Sequence, residues 1–394
     1  MCLLAINMEG FKSKWHAEWQ LIRGDFWLKA LLFWLPPLLF LTFWYIFSAS
    51  VASDVKVGVV DLDKSAMSRQ LVRYYDANSV IAISDEYDDV ASGTLALRGG
   101  EIYALIVVPV GLEKKTIKGF PPQVTAFTNG QVLLVAKLVN SALMQAHGTF
   151  SAGVDLFKNM ANSSPEIKQA FAKAVPIRGQ ITPLFNSNSN YGHFLVTAAI
   201  PAIWQIVIVV TAVLALNASI KAGQLHTWLN GTPILTLTAK LLPYTLLHLA
   251  MGVAFLIFMY DLLGWPMHGS WLILLLGQLL MIIACQGVGA MLFLIFKNAS
   301  HAMSLASGYT APAFAFMGVT FPSSDMPLMA QIWRNMLPVS HYVELQIMQA
   351  NYAATLMQSL PQLGWLGALF TPLCAAFVLV ILTDKANQHQ SVEC

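Results

Sequence analysis

Charged residues are scarce in this sequence. Only 11% of its 394 residues are Asp, Glu, Lys or Arg, whereas about 25% is typical of a soluble domain. Because 57% of the residues are hydrophobic, the chain has too little polar surface to be globular and water-soluble throughout. Its net charge of +2 predicts neither a nucleic-acid partner nor a polyanionic substrate.

The sequence also lacks the motifs of nucleotide-binding and hydrolytic enzymes. It contains no G-x-x-x-x-G-K-[ST] phosphate loop, no H-E-x-x-H and no G-x-S-x-G. Its four cysteines are scattered, two at the chain ends and two in apolar segments, which excludes a disulfide framework and a thiolate metal site. We therefore expect a chain that is not an enzyme, binds no metal and holds no cofactor of its own.

Two short motifs resemble parts of cation sites. Asp61 and Asp63 form a D-x-D at the end of a Val-rich segment, and His341 and Glu344 lie three residues apart in a helical pattern. The second motif has no third ligand nearby. We favour structural roles for both, with the two aspartates ending a strand and capping the next helix.

Long apolar runs, in contrast, are abundant. Runs of about 20 residues, the length needed to cross a hydrocarbon core of about 30 Å, predict six transmembrane helices at 27–47, 194–216, 241–260, 271–296, 302–319 and 363–383. The fifth is the weakest because it is short and contains Ser304, Ser307, Gly308 and Pro312. The predicted fold is a polytopic α-helical membrane protein with six transmembrane helices and an inserted extracytoplasmic α/β domain.

The basic residues that flank these runs predict the orientation of the chain. Lys and Arg are retained on the cytoplasmic side during insertion. The short outer loops contain only Arg334, whereas the inner side contains Lys12, Lys14, Arg23, Lys29, Lys221, Lys240, Lys297 and Lys385. We therefore expect both termini, including the tail at 384–394, in the cytoplasm.

Residues 48–190 form the predicted extracytoplasmic domain. Val-rich segments such as "VKVGVVDLD" and "YALIVVP" alternate with helical patterns, which is typical of a small α/β domain with four strands. A long helix follows from Gln131. Long domains of this kind are translocated largely regardless of their charge.

The first 26 residues have the pattern of an amphipathic N-terminal helix. Trp15, Trp19 and Ile22 recur at three- and four-residue spacing, opposite Lys14 and Glu18. This arrangement predicts a helix that lies along the cytoplasmic membrane surface.

Few polar residues lie inside the predicted spans. Gln205, His248, Gln278 and Gln286 either hydrogen-bond across helices, which we favour, or line a substrate path. Ion-coupled transport normally requires ionisable groups deep in the membrane. Because such groups are scarce in the predicted spans, ion-coupled transport is the less favoured function. An ion-coupled transporter and a membrane receptor or envelope-scaffold protein remain the alternatives to an ATP-driven transport subunit.

The segment at 321–350 is too polar to span a bilayer and too apolar for an ordinary loop. Its proline pattern predicts two short helices, the second with Ser340 as its N-cap, that dip into the outer leaflet and close the exit of a translocation path. The alternative is a helix resting on the membrane surface. The candidate gate residues are Pro322, Asp325, Pro327, Gln331 and Pro338.

Taken in order, several segments resemble one family over nearly the full length. They are "EWQLIRGDFWLKALLFWLPPLLFLTFWYIFSAS", "VGVVDLDKSAMSRQLVRYYDA", "ALRGGEIYALIVVP", "TNGQVLLVAKLVNSAL", "AKLLPYTLL" and "FPSSDMPLMAQIWRNMLPVSHYVE". The sequence is similar to the ABC-2 type permeases of the bacterial inner membrane, in the drug-efflux branch with an external domain.

This resemblance implies the partners. Such permeases form homodimers or heterodimers, and a separate ABC ATPase that binds ATP and Mg docks on their cytoplasmic face. Members of this branch export drug-like, lipidic or other amphiphilic substrates, often with a periplasmic adaptor and an outer-membrane channel. The surrounding membrane lipids complete the expected set of partners.

The cytoplasmic loop at 217–240 departs from the family pattern. Where an E-x-x-x-G-T-x-E segment is usual, this chain has Gln224 and His226 in place of Thr and Glu. Two interpretations follow: either the chain is the less conventional member of a heterodimer, with altered coupling to the ATPase, or the contacts run through the loop's aromatic residue and its Gly-Thr-Pro turn instead. Trp228 could equally belong to the interfacial aromatic belt. The candidate coupling residues are Leu225, Trp228, Gly231, Thr232 and Pro233.

Overall fold

The computed structural model describes residues 8–48, 53–131, 133–162, 190–221, 232–319 and 321–392. The chain divides into two compact units. The first, called the helical unit, comprises Met1–Ser48 and Leu184–Cys394, and the second, called the α/β unit, comprises Ala49–Pro183. Each is described by itself.

The helical unit begins with α1 (Met8–Gly24) and α2 (Phe26–Ile46), which contains a π-helical turn at Ala30–Trp34. Its other helices are α7 (Tyr191–Lys221), α8 (Pro233–Ile257, followed by a π-helical turn at Phe258–Leu262), α9 (Trp271–Phe296), α10 (Ala299–Thr310), α11 (Ala313–Phe316), α12 (Leu328–Met336), α13 (Pro338–Ala350), α14 (Leu356–Ala368) and α15 (Thr371–Val392). A 3₁₀ turn, Ser323–Asp325, precedes α12.

Five stretches in the described residues are long and apolar enough to cross a membrane. They coincide with the first, second, third, fourth and sixth predicted spans and run over Phe26–Ile46, Gly192–Ser219, Pro233–Leu262, Trp271–Phe296 and Leu356–Lys385. The last combines α14 and α15, which are separated by a turn. The chain is therefore a polytopic, mostly helical membrane protein.

The predicted fifth span at 302–319 is not one continuous helix. α10 ends at Thr310 after 12 residues, which corresponds to about 18 Å at 1.5 Å per residue. Pro312 lacks the N–H needed to continue the helix and instead precedes the four-residue α11. The expectation of one helix here was wrong, and the count of six crossings stays a prediction.

The α/β unit contains a four-stranded sheet in the order β2-β1-β3-β4. β1 (Val55–Asp61) pairs in parallel with β2 (Ile81–Glu86) and β3 (Ala104–Val108), and β4 (Thr125–Thr128) is antiparallel to β3. The helices are α3 (Ala66–Asp76), α4 (Val90–Gly99), α5 (Leu112–Ile117) and α6 (Leu133–Asn162). The predicted alternation of strand and helix is thus present, while the extracytoplasmic location of the unit stays a prediction.

The core of the α/β unit explains why the Val-rich segments form strands. Val57, Val59 and Ile106 of the sheet are completely buried against Leu71 of α3. α6 covers the same core with small and apolar residues, among them Val139. Branched side chains pack well on a pleated surface that is buried.

The D-x-D motif has a structural role in this unit. Asp61 accepts hydrogen bonds from the N–H groups of Asp63 and Lys64, both at 3.0 Å, and from the Ser68 hydroxyl at 2.6 Å. The N-cap of α3 is Ser65, which accepts the Ser68 N–H, so the expectation that the aspartates cap this helix was wrong in detail. In the described part of the chain, no group of three or more His, Cys, Asp or Glu side chains is placed to hold a metal.

Asp63 instead caps α5, whose first N–H groups have no helical partner. Its carboxylate accepts the N–H of Gly111 at 2.6 Å and of Glu113 at 3.1 Å. Partial burial raises the pKa of Asp63, but hydrogen bonds from Ser65, Glu113, Gly111 and Leu112 outweigh it, so the pKa is lowered. A lowered pKa in the folded state means that stability is present above the ordinary pKa and is lost as the pH falls below it.

Asp63→Ala should therefore lower the stability of the α/β unit by about 1 kcal/mol at pH 7, the usual cost of losing a helix cap. The difference in melting temperature between wild type and variant, measured on the detergent-purified chain, should shrink below about pH 4. Asp88→Ala removes an exposed carboxylate and is the control. Equal responses of both variants at every pH would contradict the assignment.

Candidate functional site

The N-terminal helix α1 docks on α8 through a buried ion pair. The Nζ atom of Lys240 lies 2.8 Å from each carboxylate oxygen of Glu18, and the Tyr244 hydroxyl donates to Oε1 of Glu18 at 2.6 Å. Lys240 and Tyr244 are four residues apart and therefore share one face of α8. Glu18 is only 6% exposed and Lys240 only 2%. We call Glu18, Lys240 and Tyr244 the N-terminal junction.

Apolar contacts surround this junction. Ile22 of α1 is buried in a cluster with Leu28 and Leu32 of α2, Ala215 of α7 and Tyr244 of α8. Four further, partly buried residues pack against the cluster, among them Trp19. α1 is thus packed against three helices of its own chain rather than resting only on a membrane surface.

The predicted face of α1 was partly wrong. Ile22 is buried and Trp15 and Trp19 are half-buried, as an apolar face requires. Glu18, expected on the exposed polar face, is buried because it neutralises Lys240. The signal in the sequence is Lys240 itself, since a lysine within an apolar run needs a compensating partner.

A second polar contact joins α1 to the beginning of α8. The Lys14 ammonium donates hydrogen bonds to the hydroxyl oxygens of Thr232, at 3.3 Å, and of Thr236. Burial lowers the pKa of Lys14. Thr232 is the N-cap of α8 and Pro233 its first residue, where the fixed φ of proline favours a helix start.

Of the five candidate coupling residues, Thr232 therefore contacts α1 directly and Pro233 follows it as the first residue of α8. Leu225, Trp228 and Gly231 lie outside the described residues.

The three candidate path residues lie inside the helix packing. Gln205 Oε1 accepts the N–H of Val339 at 3.1 Å, which joins α7 to α13. Gln286 Oε1 accepts the Thr245 hydroxyl at 2.7 Å, which joins α9 to α8 one turn from His248. All three side chains are at most 3% exposed. The two glutamines thus join neighbouring helices. Gln286 bonds to α8, the helix that contains His248, whereas Gln205 bonds to α13.

Two buried polar residues that join helices were missed from the sequence, both glutamines of α13. Gln346 donates to the carbonyl oxygen of Thr197 at 3.1 Å. Gln349 accepts the N–H of Ser270 at 2.8 Å and donates to the Ser359 hydroxyl at 2.7 Å. Their three-residue spacing in an otherwise apolar pattern is the signal that could have identified them.

The segment at 321–350 contains the 3₁₀ turn Ser323–Asp325 and the helices α12 and α13. Pro322 and Pro327 are the residues that precede the turn and α12. Gln331 donates to the Met326 carbonyl at 2.8 Å, and Asp325 ends the turn. The two predicted short helices are therefore present.

The start of the second helix differs from the prediction. Pro338 is the first residue of α13 and Leu337 its N-cap, whereas Ser340 is fully buried in the first turn. The expectation of a Ser340 cap was wrong because it treated Pro338 only as a helix breaker, although proline is favoured at the first helical position.

An ion pair and a ring contact hold these helices. Arg334 of α12 pairs with Glu344 of α13. His341 stacks on Trp365 of α14 with 5.4 Å between ring centroids, and its Nδ1 lies 2.8 Å from Gln362 Oε1. His341 and Glu344 thus each have a partner that explains their position without a metal.

The family model described as ABC-2 family transporter protein matches residues 27–380. The chain belongs to the ABC-2 transporter family. A relative named "Probable multidrug ABC transporter permease YbhS", from Escherichia coli strain K12, is 23% identical over 324 residues, which covers 80% of this chain and 81% of the relative. The protein of the same name from Escherichia coli O157:H7 gives the same values. No solved structure matches this ABC-2 permease.

The match places the N-terminal junction at the edge of the family's shared region. Lys240 and Tyr244 lie within residues 27–380, whereas Glu18 and the rest of α1 precede them. In this ABC-2 permease, α1 therefore lies outside the matched residues but is anchored to a helix inside them by the buried pair.

Proposed function

We propose that this ABC-2 permease is the transmembrane subunit of an ATP-driven exporter in the bacterial inner membrane, with both termini in the cytoplasm. It moves drug-like, lipidic or other amphiphilic substrates outward. A separate ABC ATPase binds ATP and Mg, and the chain itself holds no cofactor. The observation that carries this proposal is the family match over residues 27–380, supported by a relative named as a multidrug permease.

The proposed assembly is a homodimer or a heterodimer of permeases with the ATPase on its cytoplasmic face. The α/β unit lies in the periplasm, where an adaptor protein and an outer-membrane channel continue the export route. The division of the chain into a helical unit and an α/β unit is compatible with this arrangement. No nucleic acid takes part.

The ATPase docks on the loop that precedes α8 and moves α8 through its first turns. The contacts between α1 and the beginning of α8 support this proposal. α1 contacts Thr232, Thr236 and Lys240, which span the first two turns of α8, so α1 and this end of α8 are joined by a buried ion pair and by two hydrogen bonds that are more exposed. Contacts of this kind make two helices move as one body. A push on the loop therefore displaces α1 and α8 together.

Reconstitution in proteoliposomes tests the function. The permease alone should hydrolyse no ATP, and the complex with its partner ABC ATPase should show drug-stimulated hydrolysis and drug uptake into inside-out vesicles. The control is a complex whose ATPase has its phosphate-loop lysine replaced by alanine. ATP turnover by the permease alone, or drug uptake by the control complex, would refute the proposal.

In the same assay, Pro233→Gly should leave ATP hydrolysis intact and reduce drug uptake.

We propose further that the segment at 321–350 closes the exit of the translocation path. Single cysteines at Ser324 and Gln331, in a background without other cysteines, should react with a membrane-impermeant thiol reagent applied from outside. Gln331, which is half-buried, should become protected when nucleotide is trapped, whereas the exposed Ser324 should label in every state. Equal labelling of both positions in all states would mean that the segment is only a surface loop.

A further inference from the structure

The end of α1 and the beginning of α2 enclose a notch of about 610 Å³. It lies beside the N-terminal junction but is separate from the ion pair. We call it the N-terminal notch, and its lining residues are Trp19, Ile22, Arg23, Lys29, Phe33 and Trp34. A volume of this size falls in the range of sites that bind small molecules and cofactors.

Two cations in the notch have no carboxylate partner in the described part of the chain. The ion pairs found there are Lys240 with Glu18 and Arg334 with Glu344, and neither includes Arg23 or Lys29. Asp25, which lies between the two cations in sequence, accepts the N–H groups of Trp27 and Leu28 at 2.8 and 3.1 Å as the N-cap of α2. The two carboxylates nearest in sequence thus have other partners, since Glu18 pairs with Lys240 and Oδ1 of Asp25 caps α2.

The other walls of the notch are apolar and aromatic. Phe33 is 43% and Trp34 75% exposed, although both lie at the start of a helix that is apolar enough to span a membrane. They occupy the π-helical turn Ala30–Trp34, which precedes Pro36 and Pro37, residues that have no N–H to donate to the preceding turn. Exposed aromatic rings beside basic residues at the end of a spanning helix are typical of the headgroup level of a bilayer.

These features require an occupant with a negative charge at one end and an apolar remainder. An anionic phospholipid has both, because its phosphate matches a pair of cations and its acyl chains match aromatic walls. Free phosphate would leave the aromatic walls exposed to water, and a zwitterionic lipid would bring a cation to the same place.

We propose that the N-terminal notch binds one anionic phospholipid of the bilayer. The lipid phosphate lies between Arg23 and Lys29. The part of the acyl chains next to the headgroup packs against Trp19, Phe33 and Trp34. Ile22 lines the notch and also belongs to the apolar cluster around Tyr244. The bound lipid therefore stabilises the docked position of α1. This proposal requires only that the chain spans a membrane and is independent of export and of the ATPase.

The test measures lipid binding to the full-length permease in detergent. Native mass spectrometry detects the bound lipid, and the melting temperature reports its effect on stability. Phosphatidylglycerol should bind and raise the melting temperature, whereas phosphatidylcholine and inorganic phosphate at the same concentrations should not. Arg23→Gln with Lys29→Gln should weaken phosphatidylglycerol binding roughly 25-fold, since each basic residue near an anionic lipid contributes about a factor of five. Lys114→Gln with Lys115→Gln removes the same charge from exposed positions of α5 and should bind like wild type.

Trp34→Ala provides a second variant whose folding should be unaffected, because this side chain is 75% exposed, and it should also weaken phosphatidylglycerol binding. The proposal is overturned if the Arg23 and Lys29 double variant binds phosphatidylglycerol like wild type, or if phosphatidylcholine binds equally well. An effect of inorganic phosphate alone would show a simple anion site and would also overturn it. A third outcome would also overturn the proposal: the double variant dissociates a dimer, and added lipid has no effect. A second copy of the chain would then fill the notch.

Discussion

Lys240→Ala should destabilise the permease by about 3–5 kcal/mol, the usual cost of removing one partner from a buried ion pair. Both carboxylate oxygens of Glu18 would lose the Lys240 ammonium at 2.8 Å, and among the described residues the Tyr244 hydroxyl alone would remain as a donor. Water cannot readily replace the ammonium, because Glu18 is 6% exposed. The measurement is the melting temperature of the detergent-purified chain, with Glu18→Ala expected to behave in the same way.

A paired replacement separates the cost of an orphaned charge from the value of the pair. Glu18→Leu combined with Lys240→Leu leaves no uncompensated charge and should be nearly as stable as wild type, as found for other buried pairs replaced by apolar residues. Tyr244→Phe removes one hydrogen bond to a charged group and should cost about 1.5–3 kcal/mol. If the leucine double variant were as unstable as Lys240→Ala, the destabilisation would come from lost packing rather than from the charge.

Gly289→Ala should destabilise the helical unit by about 3 kcal/mol, at the upper end of the cost of overpacking a core. A Cβ atom at this position of α9 would lie 2.6 Å from the carbonyl oxygen of Val209 and 2.8 Å from Cβ of Ala212. The first contact is with the backbone of α7, so no side-chain rotation can relieve it. The two helices would have to separate, which would disrupt the packing between them.

Gly287 has the same role on the opposite face of α9. A Cβ there would lie 2.7 Å from Cβ and 2.8 Å from the backbone nitrogen of Leu373 in α15. Because successive residues turn by about 100° around a helix, glycines two positions apart allow two different helices to approach α9 closely.

Gly308→Ala in α10 is the matched control for both glycines, since the added methyl group would meet no side chain and no other helix within 4 Å. It should leave the melting temperature unchanged or raise it slightly, because alanine favours a helix over glycine by about 1 kcal/mol. Thermal unfolding of the three variants in the same detergent gives the comparison. Equal losses at Gly289 and Gly308 would mean that glycine is needed for backbone conformation rather than for close packing.

Much of the fold could be predicted from the sequence because it follows from local patterns. Apolar length predicted the five spanning helices, and Val-rich runs predicted the strands of the α/β unit. The break at Pro312 and the start of α13 at Pro338 were less predictable, since proline can either end a helix or begin one. The surrounding packing decides which of the two occurs.

The N-terminal junction could not be predicted because its partners are 222 residues apart in sequence. A helical pattern shows which residues share a face, but it does not show which face meets water and which meets another helix. Glu18 was therefore assigned to the solvent side, although it lies four residues from the buried Ile22 on the same face. Of the coupling residues, only Thr232 and Pro233 lie in the described part of the chain.

The distance along the chain between Glu18 and Lys240 also imposes an order on biosynthesis. The ribosome adds about 5–20 residues per second, so the 222 residues between them take roughly 10–45 s to make. During this interval α1 exists without α8, so the Glu18 carboxylate cannot yet be buried against the Lys240 ammonium. α1 therefore reaches its docked position as a late event of maturation, after the first three spanning helices have been synthesised.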